Sequence, residues 1–253
     1  MEDVMRSIGA VLAEIWRRAI AAQPLPSASA IVSIGLLGVA LVVLRPLWPV
    51  TRLLVTVAHE GGHAVAAVLT GRQLEGIRVH RDTSGLTLSR GRPRGPGMVL
   101  TLLGGYLGPV VAGVGAAALL ATGRSLGVLW LLVAVGVWLL LQMRNAYGFV
   151  VLLLGGAAIA AVSWWFPPTA QSSAAYLITW VLLLAAPKPV LELARQRRTG
   201  RARDSDADQL ATLTRIPAPV WMFLLLVLGV GGLVAGFALL LPDLAAHLAA
   251  TFR

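Results

Sequence analysis

Seven apolar runs of 15 to 24 residues divide this chain and constrain its fold more than any other feature. An α-helix needs roughly 20 apolar residues to cross the hydrocarbon core of a bilayer. Only 13% of the residues are charged, whereas soluble proteins carry about 25%. We therefore predict an all-α polytopic membrane protein with about seven transmembrane helices. The predicted spans are 30–47, 50–70, 98–121, 125–143, 147–166, 172–186 and 219–241.

The segments around these runs predict one membrane-embedded domain with short extensions. Residues 1–29 mix charged and apolar side chains, which predicts an amphipathic surface helix and a link rather than a cleavable signal peptide. The domain covers 30–241, and 242–253 form a tail. Within it, alternating polar and apolar residues around a turn signal predict a membrane-associated β-hairpin at 72–92. A polar loop is expected at 187–215.

Basic residues are distributed unevenly between the two sides that seven crossings define. With a cytoplasmic N-terminus, the cytoplasmic segments carry 17 of the 21 Lys and Arg residues and the outer segments carry 4. Cytoplasmic loops of membrane proteins are enriched in these residues. We expect a multi-pass protein of the cell membrane, with the N-terminus, the hairpin and the loop 187–215 in the cytoplasm. The net charge of +10 then needs no nucleic acid, and the lipid bilayer is the expected partner.

His59, Glu60 and His63 form an H-E-x-x-H motif inside the second apolar run. Two histidines four residues apart lie on one helix face and can bind one Zn²⁺, and the adjacent glutamate can act as general base for a bound water. Glu60 is the only acidic residue well inside any run, and an ionisable side chain at membrane depth is costly. Hydrogen bonding of these side chains to neighbouring helices is the alternative, but the spacing favours a metal site.

A catalytic zinc ion needs a third protein ligand, for which the sequence offers several candidates. There is no cysteine, and His247 lies beyond the last run. The candidates that remain are His80, Asp82, Asn145, Asp204, Asp206 and Asp208. Ser205 and Asp208 have approximately the spacing of a helix capping box, which gives Asp208 a structural role. Asp206 is therefore the favoured ligand, although compensation of a helix dipole would also explain an acid there.

At these residues the chain resembles the M50 metallopeptidases, the site-2 protease group, and most closely their compact bacterial M50B-like branch. The resemblance rests on HEGGH at 59–63, GIRVHRDTSGLT at 76–87, GGYLGP at 104–109, RNAYG at 144–148 and SDADQLATLTRIPAPVW at 205–221. It implies a three-helix catalytic core around one zinc ion and peptide hydrolysis inside the bilayer. It also implies that His59 and His63 bind the zinc and that Glu60 is the base.

The chain departs from this family pattern at the third ligand. Typical site-2 proteases carry an Asn-Pro…Asp-Gly element whose aspartate binds the metal, and this chain has no Asp-Gly. Asn145 or Asp206 could fill those roles. Gly105 and Pro109 would either kink the third apolar helix beside the site or pack it closely against a neighbour. No PDZ-like insertion is evident.

We predict an intramembrane zinc metalloprotease that cleaves membrane-spanning proteins or peptides. An ion- or proton-coupled transporter is one alternative, but the chain lacks the internal repeat that many transporters show. A non-catalytic scaffold that keeps the protease fold is the other, and the intact Glu60 counts against it. A substrate in extended conformation could pair with the hairpin edge at 77–80, or the hairpin could instead seal the cavity.

The composition also carries a hint about the source. An Arg-rich, Lys-poor, Ala-rich chain is typical of a bacterium with a GC-rich genome.

Overall fold

The computed structural model describes residues 2–199 and 205–251. Asp204, one of the candidate ligands, lies outside the described residues. The elements follow the order α1 Glu2–Ile20, α2 Ala28–Val43, α3 Trp48–Leu69, β1 Gln73–Val79, β2 Gly85–Arg90, α4 Pro96–Ala121, α5 Ser125–Gln142, α6 Ala146–Trp165, α7 Pro168–Ala185, α8 Lys188–Arg198, α9 Asp206–Thr214, α10 Ala218–Leu240 and α11 Pro242–Thr251.

The predicted all-α polytopic fold is confirmed, with a difference in how the first two spans are arranged. Helices α4, α5, α6, α10 and the combined α7–α8 helix are each long and apolar enough to cross a membrane. Helices α2 and α3 pass that test only together and meet at a bend of 96°, as a broken span or a re-entrant loop. The described residues therefore provide five or six candidate spans rather than seven.

Two prolines explain the bend between α2 and α3. Helix α2 ends before Pro46 because proline disfavours helical backbone in the residue that precedes it. Helix α3 then starts with Pro49 in its first turn, where the missing N–H has no helical partner to lose. The Thr51 hydroxyl links both sides of the bend by donating to the carbonyl oxygens of Leu41 at 3.1 Å and Leu47 at 3.2 Å.

Helices α3 and α4 approach so closely that their backbones are in contact. A Cβ atom on Gly62 would overlap the Gly104 carbonyl, and one on Gly108 would overlap the Ala58 carbonyl. Small residues permit this approach in a lipid environment, where it is favoured by van der Waals packing. The H-E-x-x-H turns of α3 therefore lie directly against α4.

The hairpin is antiparallel, with Ile77 opposite Thr87. The outer edge of β1 is occupied, because the Ile77 carbonyl accepts from the Arg144 N–H at 2.9 Å. The Asn145 side chain bonds both the N–H of Val79 at 3.2 Å and its carbonyl at 2.7 Å. The expectation of a free edge at 77–80 is therefore wrong. Among the described residues, no backbone hydrogen bond joins the other edge of the hairpin, that of β2, to a neighbouring element.

Helix α1 lies at the opposite end of the bundle from the hairpin. The Gln23 N–H, just after α1, donates to the Gly123 carbonyl in the α4–α5 turn at 2.8 Å. Its side chain bonds Gln171 at the start of α7 at 3.3 Å. The hairpin instead contacts Arg144, after the end of α5. Helix α5 is a candidate membrane span, and these two sets of contacts lie at its opposite ends.

Helix α8 follows the end of α7 and is therefore at the hairpin end of the bundle, away from α1. Helices α1 and α8, which were predicted to lie on the same cytoplasmic side, are thus at opposite ends of the bundle. The segment 187–215 is not a loop, since it contains α8 and α9. The charge count took α2 and α3 as two separate crossings, whereas their bend makes them one broken span or a re-entrant loop.

Candidate metal centre

The imidazole rings of His59 and His63 converge, and the carboxylate of Asp206 on α9 lies beside both of them. His59 and His63 lie one helical turn apart on one face of α3, with their Nε2 atoms 3.1 Å from each other. The Asp206 Oδ2 atom lies 3.3 Å from each of these nitrogens. The structure thus brings together the three residues favoured as ligands from the sequence.

The spacing of these three atoms fits a tetrahedral metal ion. Zinc binds histidine nitrogen and carboxylate oxygen at about 2.0–2.2 Å, so tetrahedral ligand atoms are separated by about 3.3 Å. The observed separations of 3.1, 3.3 and 3.3 Å agree with this value. Three protein ligands would leave the fourth position open, which is the arrangement of catalytic rather than structural zinc sites.

His63 is oriented by a carbonyl oxygen on α4. Its Nδ1 atom lies 2.7 Å from the Thr101 carbonyl oxygen, which can only accept a hydrogen bond. The proton therefore belongs on Nδ1, and the lone pair of Nε2 is available to a metal. Nothing in the sequence pattern identifies Thr101, because its role depends on the contact between α3 and α4.

Gly105 makes room for both imidazole rings. A Cβ atom at this position would overlap Nε2 of His63 and would lie 2.7 Å from Cε1 of His59. Pro109, one turn later, is buried inside α4. It cannot donate the helical hydrogen bond that the Gly105 carbonyl would otherwise accept. Two effects were expected from Gly105 and Pro109, a kink of the helix or close packing against a neighbour. Gly105 provides close packing, between α4 and the histidine rings of α3.

Glu60 is buried beside the candidate metal ligands but is not one of the three grouped residues. The Thr87 hydroxyl of β2 lies 2.6 Å from Glu60 Oε2 and 3.1 Å from the Glu60 carbonyl oxygen. A Cβ atom at Gly85 would overlap the Glu60 carboxylate, so β2 approaches α3 closely at this point. The hairpin therefore positions the carboxylate, which sequence reasoning did not anticipate.

A cleft of about 220 Å³ opens beside Glu60 and His59. Its floor is the face of α3 that carries Arg52 and Thr56, one wall is the hairpin turn at Ser84, and the other wall is α8. The volume is below the roughly 300–1,000 Å³ of typical small-molecule pockets.

Tyr106 also lines this cleft and was not predicted as a site residue. Its ring packs edge-on against the His59 ring, with centroids 4.9 Å apart. The only sequence signal for it was its place within the Gly104–Pro109 segment.

The other candidate ligands have structural roles. Asn145 holds β1 through Val79, as described above, and does not line the cleft. Asp82 Oδ1 accepts hydrogen bonds from the backbone and the hydroxyl of Ser84 in the hairpin turn. His80 lies 3.4 Å from the same hydroxyl. The capping box of Ser205 and Asp208 at the start of α9 is confirmed.

Asp206 is ionised in this environment. Burial by itself would raise the pKa of its carboxyl group. Hydrogen bonds and charge interactions with His59 and His63 outweigh burial and hold the pKa well below its ordinary value. A deprotonated carboxylate is the form that binds a metal ion.

Comparison with known proteins gives one match. Residues 32–236 match the family described as Peptidase M50B-like, which covers most of the chain. No curated protein and no solved structure matches the chain.

Proposed function

The chain belongs to the Peptidase M50B-like family, and from this premise we propose that it is an intramembrane zinc metalloprotease that hydrolyses peptide bonds of membrane-spanning proteins or peptides. Family membership and the apolar helices make it a multi-pass membrane metallopeptidase. The identity of the metal, the substrate and the steps of the reaction belong to the proposal. The observation that carries it is the tetrahedral spacing of the His59, His63 and Asp206 ligand atoms.

In the proposed reaction, the metal activates a water molecule and the surrounding side chains transfer and orient protons. His59, His63 and Asp206 would hold the zinc ion, which would lower the pKa of a water molecule toward about 7 and polarise the scissile carbonyl. Glu60 accepts the proton as the water attacks, and it then protonates the amide nitrogen as the C–N bond breaks. The Thr87 hydroxyl, 2.6 Å from Oε2, keeps this carboxylate facing the cleft.

The metal cluster favours this function over the two alternatives. A proton-transfer site in a transporter does not require three ligand atoms at tetrahedral separations. A scaffold has no need for a carboxylate held by a hydroxyl beside them. The partners that we propose are accordingly the lipid bilayer and a transmembrane substrate, with no nucleic acid.

Metal content tests the proposed ligands. We expect about one zinc ion per chain in the purified wild type and none in the His59→Ala and Asp206→Ala variants. The loss should exceed the roughly 10–100-fold fall in affinity seen when only a hydrogen-bond partner of a ligand is removed. Asp243→Ala, which removes an exposed acid from α11, serves as the control and should keep its zinc. Full zinc occupancy in Asp206→Ala would refute this ligand set.

We also propose that the hairpin, α8 and α9 face the cytoplasm and that α1 lies on the other side of the cell membrane. The α2–α3 bend belongs to the hairpin side, because Trp48 donates to Glu192 on α8 at 2.8 Å. Of the 18 Lys and Arg among the described residues, 14 then lie on the hairpin side. The other 4 are Arg6, Arg17, Arg18 and Arg124. This imbalance supports a cytoplasmic hairpin.

The absence of cysteine makes this orientation directly testable. Thr122, in the exposed α4–α5 turn, and Thr199, at the exposed end of α8, are each replaced by Cys in separate chains. In intact bacterial cells we expect a membrane-impermeant maleimide to label Thr122→Cys at once and Thr199→Cys only after lysis. The cysteine-free parent is the background control. The reverse labelling pattern would show that the hairpin faces outward.

A further inference from the structure

Asp208 uses both carboxylate oxygens, and the helix cap accounts for only one of them. Its Oδ2 atom accepts from the Ser205 N–H at 3.0 Å and from the Ser205 hydroxyl at 2.6 Å. Its Oδ1 atom accepts from Nη2 of Arg197, which belongs to a different helix, α8. The first turn of α9, which carries Asp206, is therefore tied to α8 by a charged hydrogen bond.

The rest of α9 is anchored by its buried apolar side and by a hydrogen bond at its C-terminal end, where Nε1 of Trp221 on α10 donates to the Thr214 hydroxyl at 3.0 Å. Ala207 and Leu210 are fully buried against neighbouring helices, which fixes the side of α9 that faces the bundle. The link from Arg197 to Asp208 adds a fixed point at the other end of α9, in its first turn and two residues from Asp206.

Partial burial makes this link stronger than an ion pair on an open surface. The Arg197 and Asp208 side chains are 26% and 32% exposed, respectively. The Nε atom of Arg197 is fully buried and has no partner among the described residues. Exposed ion pairs contribute little because water and side-chain entropy offset the attraction. The partly buried Arg197 side chain loses less conformational entropy when it forms the ion pair, and its direction is therefore better defined.

We propose that Arg197 is a positioning residue, which holds the Asp206 carboxylate against His59 and His63 through Asp208. This inference rests on the proposed function, because it takes Asp206 to be a metal ligand. The role is geometric: Oδ2 of Asp206 must stay 3.3 Å from two nitrogens at once. Loss of the link lets the first turn of α9 move and weakens metal binding without removing a ligand.

The test is the zinc dissociation constant of the purified full-length protein in detergent, measured by competition with a chromophoric chelator. Arg197→Met should bind zinc about 10–100-fold more weakly than the wild type. Arg197→Lys should be intermediate, since lysine keeps the charge but not the planar fork. Arg198→Met removes a charge from the same turn at an exposed position and should leave the dissociation constant unchanged. If Arg197→Met does not fold, Arg197→Lys and Asp208→Asn measure the same link.

A double variant separates positioning from general weakening of the fold. Arg197→Met added to Asp206→Asn should cost no further zinc affinity, because the only ligand that Arg197 acts on is already gone. Additive losses would overturn the proposal in favour of a general structural role. Wild-type affinity in Arg197→Met, with zinc lost in Asp206→Asn, would overturn the positioning role alone. Wild-type affinity in Asp206→Asn would overturn the ligand set and the positioning role with it.

Discussion

Glu60→Gln is expected to reduce peptide-bond cleavage by about 10²–10⁴-fold while zinc content stays at the wild-type level. Glutamine has nearly the same shape, and its carbonyl oxygen can still accept the hydrogen bond from Thr87. It cannot accept a proton from the attacking water or deliver one to the leaving nitrogen. Zinc should be retained because the three grouped ligand residues are His59, His63 and Asp206.

The measurement compares wild-type and variant protein mixed with detergent-solubilised bacterial membranes. Mass spectrometry of newly formed peptide termini gives the cleavage rate, and metal analysis of the same preparations gives the zinc content. Glu75→Gln is the matched control, because Glu75 is an exposed acid of the hairpin that pairs with Arg90 at 2.8 Å. Undiminished cleavage by Glu60→Gln would disprove the base role. Loss of its zinc would instead identify Glu60 as a ligand.

Gly105→Ala is expected to lose zinc binding, with an affinity at least about 100-fold below that of the wild type. The added methyl group would overlap the His63 ring and crowd the His59 ring at the atoms that face the metal. Withdrawal of α4 would lose the close backbone packing that Gly104 and Gly108 make with α3. Displacement of the imidazole rings therefore costs less free energy than movement of the helix. It also separates the candidate ligand atoms.

The chain contains a matched control for this prediction. Gly115 is in the same helix, and a Cβ atom there would meet nothing within 4 Å. Alanine is a better helix former than glycine by about 1 kcal/mol. Gly115→Ala should therefore melt at the same temperature or slightly higher and should keep its zinc. Normal zinc binding by Gly105→Ala would show that the rings tolerate a methyl group, and the close-packing account would fail.

The predicted ligand set depended on interactions between residues that are close in sequence, which are the same in any α-helix. Residues four apart meet on any α-helix, so the pairing of His59 and His63 followed from spacing alone. The capping pattern of Ser205 and Asp208 is equally local, since it joins a side chain to a backbone group three residues away. Because the cap accounts for Asp208, Asp206 was the favoured third ligand. The structure places Asp206 beside both histidines.

The residues that sequence reasoning missed act across elements that are distant in the chain. Thr87 reaches Glu60 from β2, and Thr101 reaches His63 from α4. Neither residue type nor spacing distinguishes them from other threonines. The contact of Asn145, one of several candidates for the third ligand or for support of the site, also joins distant elements, because its amide bonds the edge of β1.

The sequence by itself determined the membrane-embedded helical class and the candidate metal-binding turn of α3, because hydropathy and helical spacing are properties of contiguous residues. Only the tertiary structure decided that α2 and α3 bend by 96°, that α1 lies opposite the hairpin, and that α8 walls the cleft. Those relations come from which surfaces pack together, as at Gly62 and Gly104, where two backbones touch. Such contacts join residues far apart in sequence, so no local pattern records them.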